Sequence, residues 1–502
     1  MPVRSAYGPM KTLGIAVLAF LGLILMSSCA QSDVRGKAAW DGFKKVWEAK
    51  GEVFDYKQVL PKPIPSEKNF AHIPLLKPLH EYKKIDNQTE SAPVDPKNHE
   101  QAKNLLKIAG LKGKSLPKLG QWNIGQHADL IAWQKFFREQ NGWPHPKEPG
   151  KPAVDILQAL EKFEPTMAKL AKAAKERPLC RFDIRYEAHF GALLPHLVTC
   201  RNLVRCFTLR ALAHLANNDT ELALADVRMC LFLTESIREE PILISQLVRI
   251  SCLQMALQPV WEGLQGEEWN SGQLADIEKQ LAVIDLLEGY RISILGERGM
   301  ANLAIEQWLL NPKLMKEQLS PLEGEASVVI DAVSSGWIYQ NQLRLNELHV
   351  KYSQRVVDTK ARRIHPDFGA ALEAKIEARK ARPHYMLSSM LLPSVDKVAT
   401  RIGFAQTAVD HARIACHLEL YKLKHKKYPA NLSDLKAPVP SDPYTGAFYV
   451  YKPNSQDSYE LHGAGRNQKD DGGRVVLTDN GRLNLEEGDL VWRYSPQPAP
   501  IK

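Results

Sequence analysis

The chain has 502 residues, 44% of them hydrophobic and 25% charged, with 66 basic against 57 acidic side chains for a formal charge of +9. That is the balance of an ordinary globular protein, long enough for two to four domains with buried cores. The charge is spread without a long single-sign block and the aromatics are not interleaved with basic residues, so no nucleic-acid partner is expected; the excess suits a protein lying near an anionic membrane surface.

Arg4 and Lys11 precede an apolar run from Leu13 to Met26, 14 residues long, which gives way to Ser27-Ser28-Cys29. This is the layout of a secretory signal, and it is shorter than the ~20 residues of an unaided membrane span. Met26-Ser27-Ser28-Cys29 resembles the bacterial lipobox, which implies lipidation of Cys29 as the mature N-terminus. An uncleaved anchor helix and a cleaved soluble form are the alternatives. Ala30 and Gln31 lack the aspartate that retains some lipoproteins at the inner membrane, so the resemblance implies an envelope protein facing the periplasm, with the outer membrane as its address. The other six cysteines contain no CxxC, and four of them lie in apolar helix-like sequence, which suits buried thiols with at most a disulfide.

Residues 1–29 are thus expected to be a signal or lipoprotein anchor, or a membrane helix. Segment 30–96 reads as a short helix, with Trp40, Phe43 and Trp47 on one face, and a proline-punctuated extended strap. Segment 97–393 reads as a mainly α domain, a multi-helix bundle or hairpin array. Its clearest unit is a helical hairpin turning at Asn217 to Thr220, with Asp219 or Thr220 as cap and Ala211, Ala216, Ala223 and Ala225 allowing close approach. Helices are further expected near 240–264, 271–283 with Ser271 as cap, 286–310, 328–362 and 394–427. Beyond Pro429 the period changes to alternation, so 394–502 is expected to be a small α+β domain, a long helix followed by an antiparallel sheet with a hairpin at Asp479-Asn480-Gly481.

In that last domain, Gly463 to Gly473 reads GAGRNQKDDGG, and Asn467, Asp470 and Asp471 place three side-chain oxygen groups within five residues. A hard cation such as calcium takes six to eight oxygens on a sharply turned loop, and adjacent aspartates would welcome one. An ordinary acidic turn is the simpler reading of the same residues.

The order of motifs from Cys416 onward, with Tyr428-Pro429, Asp442-Pro443-Tyr444-Thr445-Gly446, the acidic glycine loop and Gly488-Asp489-Leu490-Val491-Trp492, resembles the C-terminal part of the type II secretion major pseudopilin. The resemblance covers about 90 residues, 410 to 494. It implies a calcium ion in the loop, with Asp489 as a distant fourth ligand. A pseudopilin also opens with a glutamate just inside its hydrophobic helix, whereas this chain has no acid before Asp33. The opening W..F...W.AKGE, the NFA..P stretch and the tail together resemble uncharacterised membrane-anchored envelope proteins of bacteria, a resemblance that implies no activity.

No HExxH, CxxC or GxSxG motif occurs, which removes the common zinc-hydrolase, redox and serine-hydrolase signatures. His411, His417 and His425 on one helix do not share a face within reach of one ion. Glu297 and Arg298 suit a buried ion pair. The expected function is therefore a non-enzymatic, membrane-anchored envelope protein with an interaction or scaffold role linked to a secretion or pilus-like system, contacting the membrane and other envelope proteins. The alternatives are an extracytoplasmic hydrolase using Glu297, His365 or His384, and an atypical type II secretion pseudopilin.

Overall fold

The structure, a computed structural model, describes residues 32–84, 91–106, 116–319, 334–380, 382–455 and 457–494. It is mainly helical with small antiparallel sheets. Its two compact units cut across the linear segments: 32–59, 298–354 and 370–394 group together, and 60–297, 355–369 and 395–494 form the larger unit.

In the larger unit, α1 (Pro195–Ala216) and α2 (Thr220–Glu235) make the expected hairpin, followed by α3 (Leu243–Gln265) and α4 (Ser271–Leu281). Ala211 and Ala223 are fully buried in the hairpin, while Ala225 faces water. Asp219 occupies the cap position of α2, but its side chain makes no cap bond; it takes a hydrogen bond from the Asn217 amide at 2.6 Å instead. The cap of α4 is Asn270 and not Ser271: Asn270 accepts from the Gln273 amide, and the Gln273 side chain returns to the Asn270 amide, both at 3.0 Å. Helix α5 (Leu286–Leu310) gives its residues through Glu297 to this unit. At Gly296 it passes so close to the carbonyl of Pro241 that a Cβ would not fit.

The smaller unit packs Trp40 and Phe43 of the helix over 32–48 against Phe54. Helix α6 (Ser335–Lys351) sets Ile338 and Leu345 against Trp308 of α5. The helix expected over 328–362 ends at Lys351; Val357–Asp358 and Arg363–Ile364 form a two-residue antiparallel ladder. Residues 320–333 lie outside the described set. The six cysteines from Cys180 to Cys416 are all unpaired thiols.

The C-terminal α+β arrangement is present in the larger unit: α7 (Val395–His425) is followed by β1 (Val450–Ser455), β2 (Ser458–Gly463) and β3 (Leu490–Tyr494), an antiparallel sheet in the order β1-β2-β3. The Asn-Gly hairpin is reduced to one bridge, Leu477 with Leu483. The arm of that hairpin that precedes Asp479 forms no longer strand, and at its start the amide of Asp489 donates to the carbonyl of Arg474 at 2.9 Å.

Candidate functional site

The acidic loop leaves the end of β2 and turns at Gly472 and Gly473, both left-handed at φ +75° and +86°. Its amide and acidic side chains are spent on its own backbone, on one another and on His462. Asn467 accepts from the Lys469 amide at 3.1 Å and donates its own amide to Asp471 at 2.9 Å. Asp470 accepts from the Gly472 amide at 2.9 Å, an interaction that, with the His462 imidazole next in weight, holds its carboxyl below the usual range. Asp489, buried on β3's approach, accepts the amides of Asp471 at 3.1 Å and Gly473 at 2.6 Å. The mutual repulsion expected of Asp470 and Asp471 is answered by these donors.

Of the four expected ligands, Asp470 and Asp489 converge, and their partner is His462 of β2: one atom from each lies within 4.8 Å of the others. His462 is fully buried, with Nε2 3.1 Å from Asp470. Sequence reasoning missed it because it sits in an alternating strand, although it immediately precedes Gly463. The donor set fits calcium poorly. A calcium ion takes oxygen throughout, whereas this cluster offers one nitrogen and two carboxylates already accepting amides, and Asn467 and Asp471 are turned toward each other.

Beneath the sheet, Asp410 on α7 receives Arg362 at 2.6 Å, the Tyr449 hydroxyl at 2.7 Å and Gln406 at 3.2 Å. Burial pushes its carboxyl up against the pull of Arg362. His411 stands edge-on to Tyr449 and is pushed down to about 3 by burial. His417 lies 3.5 Å from Glu278, and His425 packs on Tyr421, so the three histidines of α7 have separate partners.

Glu297 and Arg298 do not pair. Neighbours on a helix point about 100° apart. Glu297 accepts the amide of Leu243 at the start of α3, and Arg298 meets Glu52 at 2.8 Å. The carboxyl of Glu297 is raised by burial, which the Leu243 amide opposes. His365 stands edge-on to Phe368, and His384 lines a surface cleft in the smaller unit. Glu297, His365 and His384 therefore have separate surroundings.

That cleft holds about 420 Å³ and is bordered by Arg344, Lys351, Lys375, Arg379 and Arg382 with a single carboxylate, Glu347. Arg344 pairs with Glu347 at 2.6 Å and Arg379 donates to the Tyr385 hydroxyl at 3.1 Å. The remaining cations exceed what one acid can neutralise, so the surface carries a positive field.

Cys29 and the apolar run lie outside the described residues, and among those described no helix is long and apolar enough to cross a membrane. Set against known proteins, the chain matches no family model, no curated protein and no solved structure.

Proposed function

We propose that the protein is a membrane-anchored envelope protein that works by holding contacts at the membrane surface, without catalysis. The observation that carries this reading is the cationic cleft of the smaller unit. That unit contains the helix over 32–48, which follows the expected lipid-bearing Cys29 closely in the chain. Five cations against one carboxylate at such a place suit an anionic lipid surface, where each basic side chain adds about 1 kcal/mol of attraction. A diacylglyceryl group brings two acyl chains and so anchors by itself, and the basic surface adds a salt-dependent attraction that holds this unit against the headgroups.

The long helix and three-stranded sheet of the C-terminal region, with the motif order of its sequence, support a link to a secretion or pilus-like assembly. Membrane fractionation tests the reading. The parent protein is expected to stay with envelopes through a high-salt wash. A Cys29→Ala variant is expected to stay at low salt and leave at high salt, and its further replacement of Arg379 and Arg382 by Glu is expected to leave at both. Attachment that ignores salt and these two arginines would overturn the surface-contact role, and crosslinked envelopes that yield no partner above background would overturn the interaction role.

A further inference from the structure

The larger unit has a second cleft, of about 920 Å³, at the size of small-molecule binding sites. One wall is α1 and α3, the other the segment 116–123 and the loop of Arg482. We propose that this cleft binds a small phosphate-bearing ligand through Arg201, Arg205 and Arg482.

The charge is one-sided. Arg201 and Arg205 stand one turn apart on α1, Lys118 and Arg482 add two more cations, and no carboxylate lines the cleft. Like charges one helical turn apart oppose each other, and in most of this protein arginines are relieved by acids, as Arg210 is by Asp226 and Arg249 by Glu235. Among the described residues Arg205 has no ion pair and Arg201 has none either, donating to the neutral Ser251 hydroxyl at 3.1 Å. Burial, and next the charge of Arg201, lower the affinity of Arg205 for its proton, the condition that an incoming anion reverses. The planar fork of guanidinium matches phosphate oxygens in pairs.

A spare donor points the same way. The side-chain amide nitrogen of Gln254, a lining residue, is buried with no hydrogen-bond partner. A buried unpaired donor is costly, and a ligand oxygen would recover that cost. The opposite wall sets Leu116, Pro117 and Leu119 among its polar residues and is firmly held: Gln258 accepts the Trp122 amide at 2.8 Å and donates to the Gln126 carbonyl at 3.0 Å, and Trp122 lies parallel to Phe404 at 6.1 Å. The volume exceeds a bare phosphate, so the phosphate belongs to a larger molecule whose apolar or planar part rests on this wall. A soluble nucleotide and a phospholipid headgroup share that chemistry.

Calorimetry on the full-length protein in detergent tests the assignment, with uridine diphosphate in one arm and dihexanoyl phosphatidylglycerol in the other. Saturable binding in either arm is expected, with the tighter arm naming the source. Arg201→Glu with Arg205→Glu is expected to weaken it about tenfold or more. Arg482→Ala, in an exposed loop, is the variant that keeps the test valid should the double change disturb folding, and it too is expected to weaken binding. No saturable heat in either arm, or binding indifferent to Arg482→Ala and to a correctly folded double variant, would overturn the proposal.

Discussion

The carboxylate of Asp489 accepts the backbone amide of Gly473 at 2.6 Å, and this bond, with a second from the Asp471 amide, shuts the acidic loop onto the sheet. Asp489 is buried, so both donors lose their partner in an Asp489→Ala variant. Loss of about 1 to 3 kcal/mol is expected in chemical denaturation, and less for Asp489→Asn, which keeps one acceptor. Because Asp489 already accepts two backbone amides and the donor set suits calcium poorly, calcium or a chelator is expected to leave the parent's melting temperature unchanged. A calcium-dependent rise that Asp489→Ala abolishes would contradict this.

Glu419 gives a pH signature. It is buried beside the Tyr428 hydroxyl, and burial raises its carboxyl from 4.5 to about 7, with the Tyr428 bond pulling the other way. Between those values the folded state holds a proton that the unfolded chain has released. Its contribution to stability is therefore largest at low pH and is lost as pH rises toward 7, by up to about 3 kcal/mol. A Glu419→Gln variant is expected to gain on the parent at pH 8 and to match it near pH 4, read from denaturant midpoints.

The pair of Glu52 and Arg298 predicts an asymmetry. Arg298 is fully buried while the Glu52 side chain is 23% exposed. Glu52→Ala strands a guanidinium inside the smaller unit and is expected to cost about 3 to 5 kcal/mol. Arg298→Met leaves a carboxylate that can turn to water and keeps an apolar stem over Phe54, so it is expected to cost clearly less. Equal losses in urea titration would show that the pair's value lies in packing and not in charge.

Gly296 tests the close passage of α5. A Cβ there would meet the main-chain carbonyl of Pro241, which no rotamer change relieves. Gly296→Ala is expected to lower stability by about 1 to 3 kcal/mol despite the better helix propensity of alanine. Gly42, whose Cβ meets nothing within 4 Å, is the control and is expected to tolerate alanine.

The helices of the body were legible because their apolar spacing is local: α5 begins and ends where 286–310 indicated, and the hairpin turns at Asn217 to Thr220 as expected. Caps were less legible, since Asn270 and Ser271 are both competent and only the return bond from Gln273 decides between them. The grouping of 298–354 with 32–59 rests on contacts such as Glu52 with Arg298, which leave no periodicity in sequence. The same holds for the sites. Asp470 and Asp489 were found as acids, but His462 was hidden in strand alternation, and the cleft of the larger unit gathers Lys118, Arg201, Arg205 and Arg482 from three separate stretches that are each unremarkable in charge.

Tethering at the envelope is tested most directly by mass spectrometry of the N-terminus of the protein purified from fractionated cells. A diacylglyceryl-modified Cys29 as first residue, recovered from membranes, is the expected result. A chain that begins at Met1 and is recovered dissolved in the cytosol would contradict it.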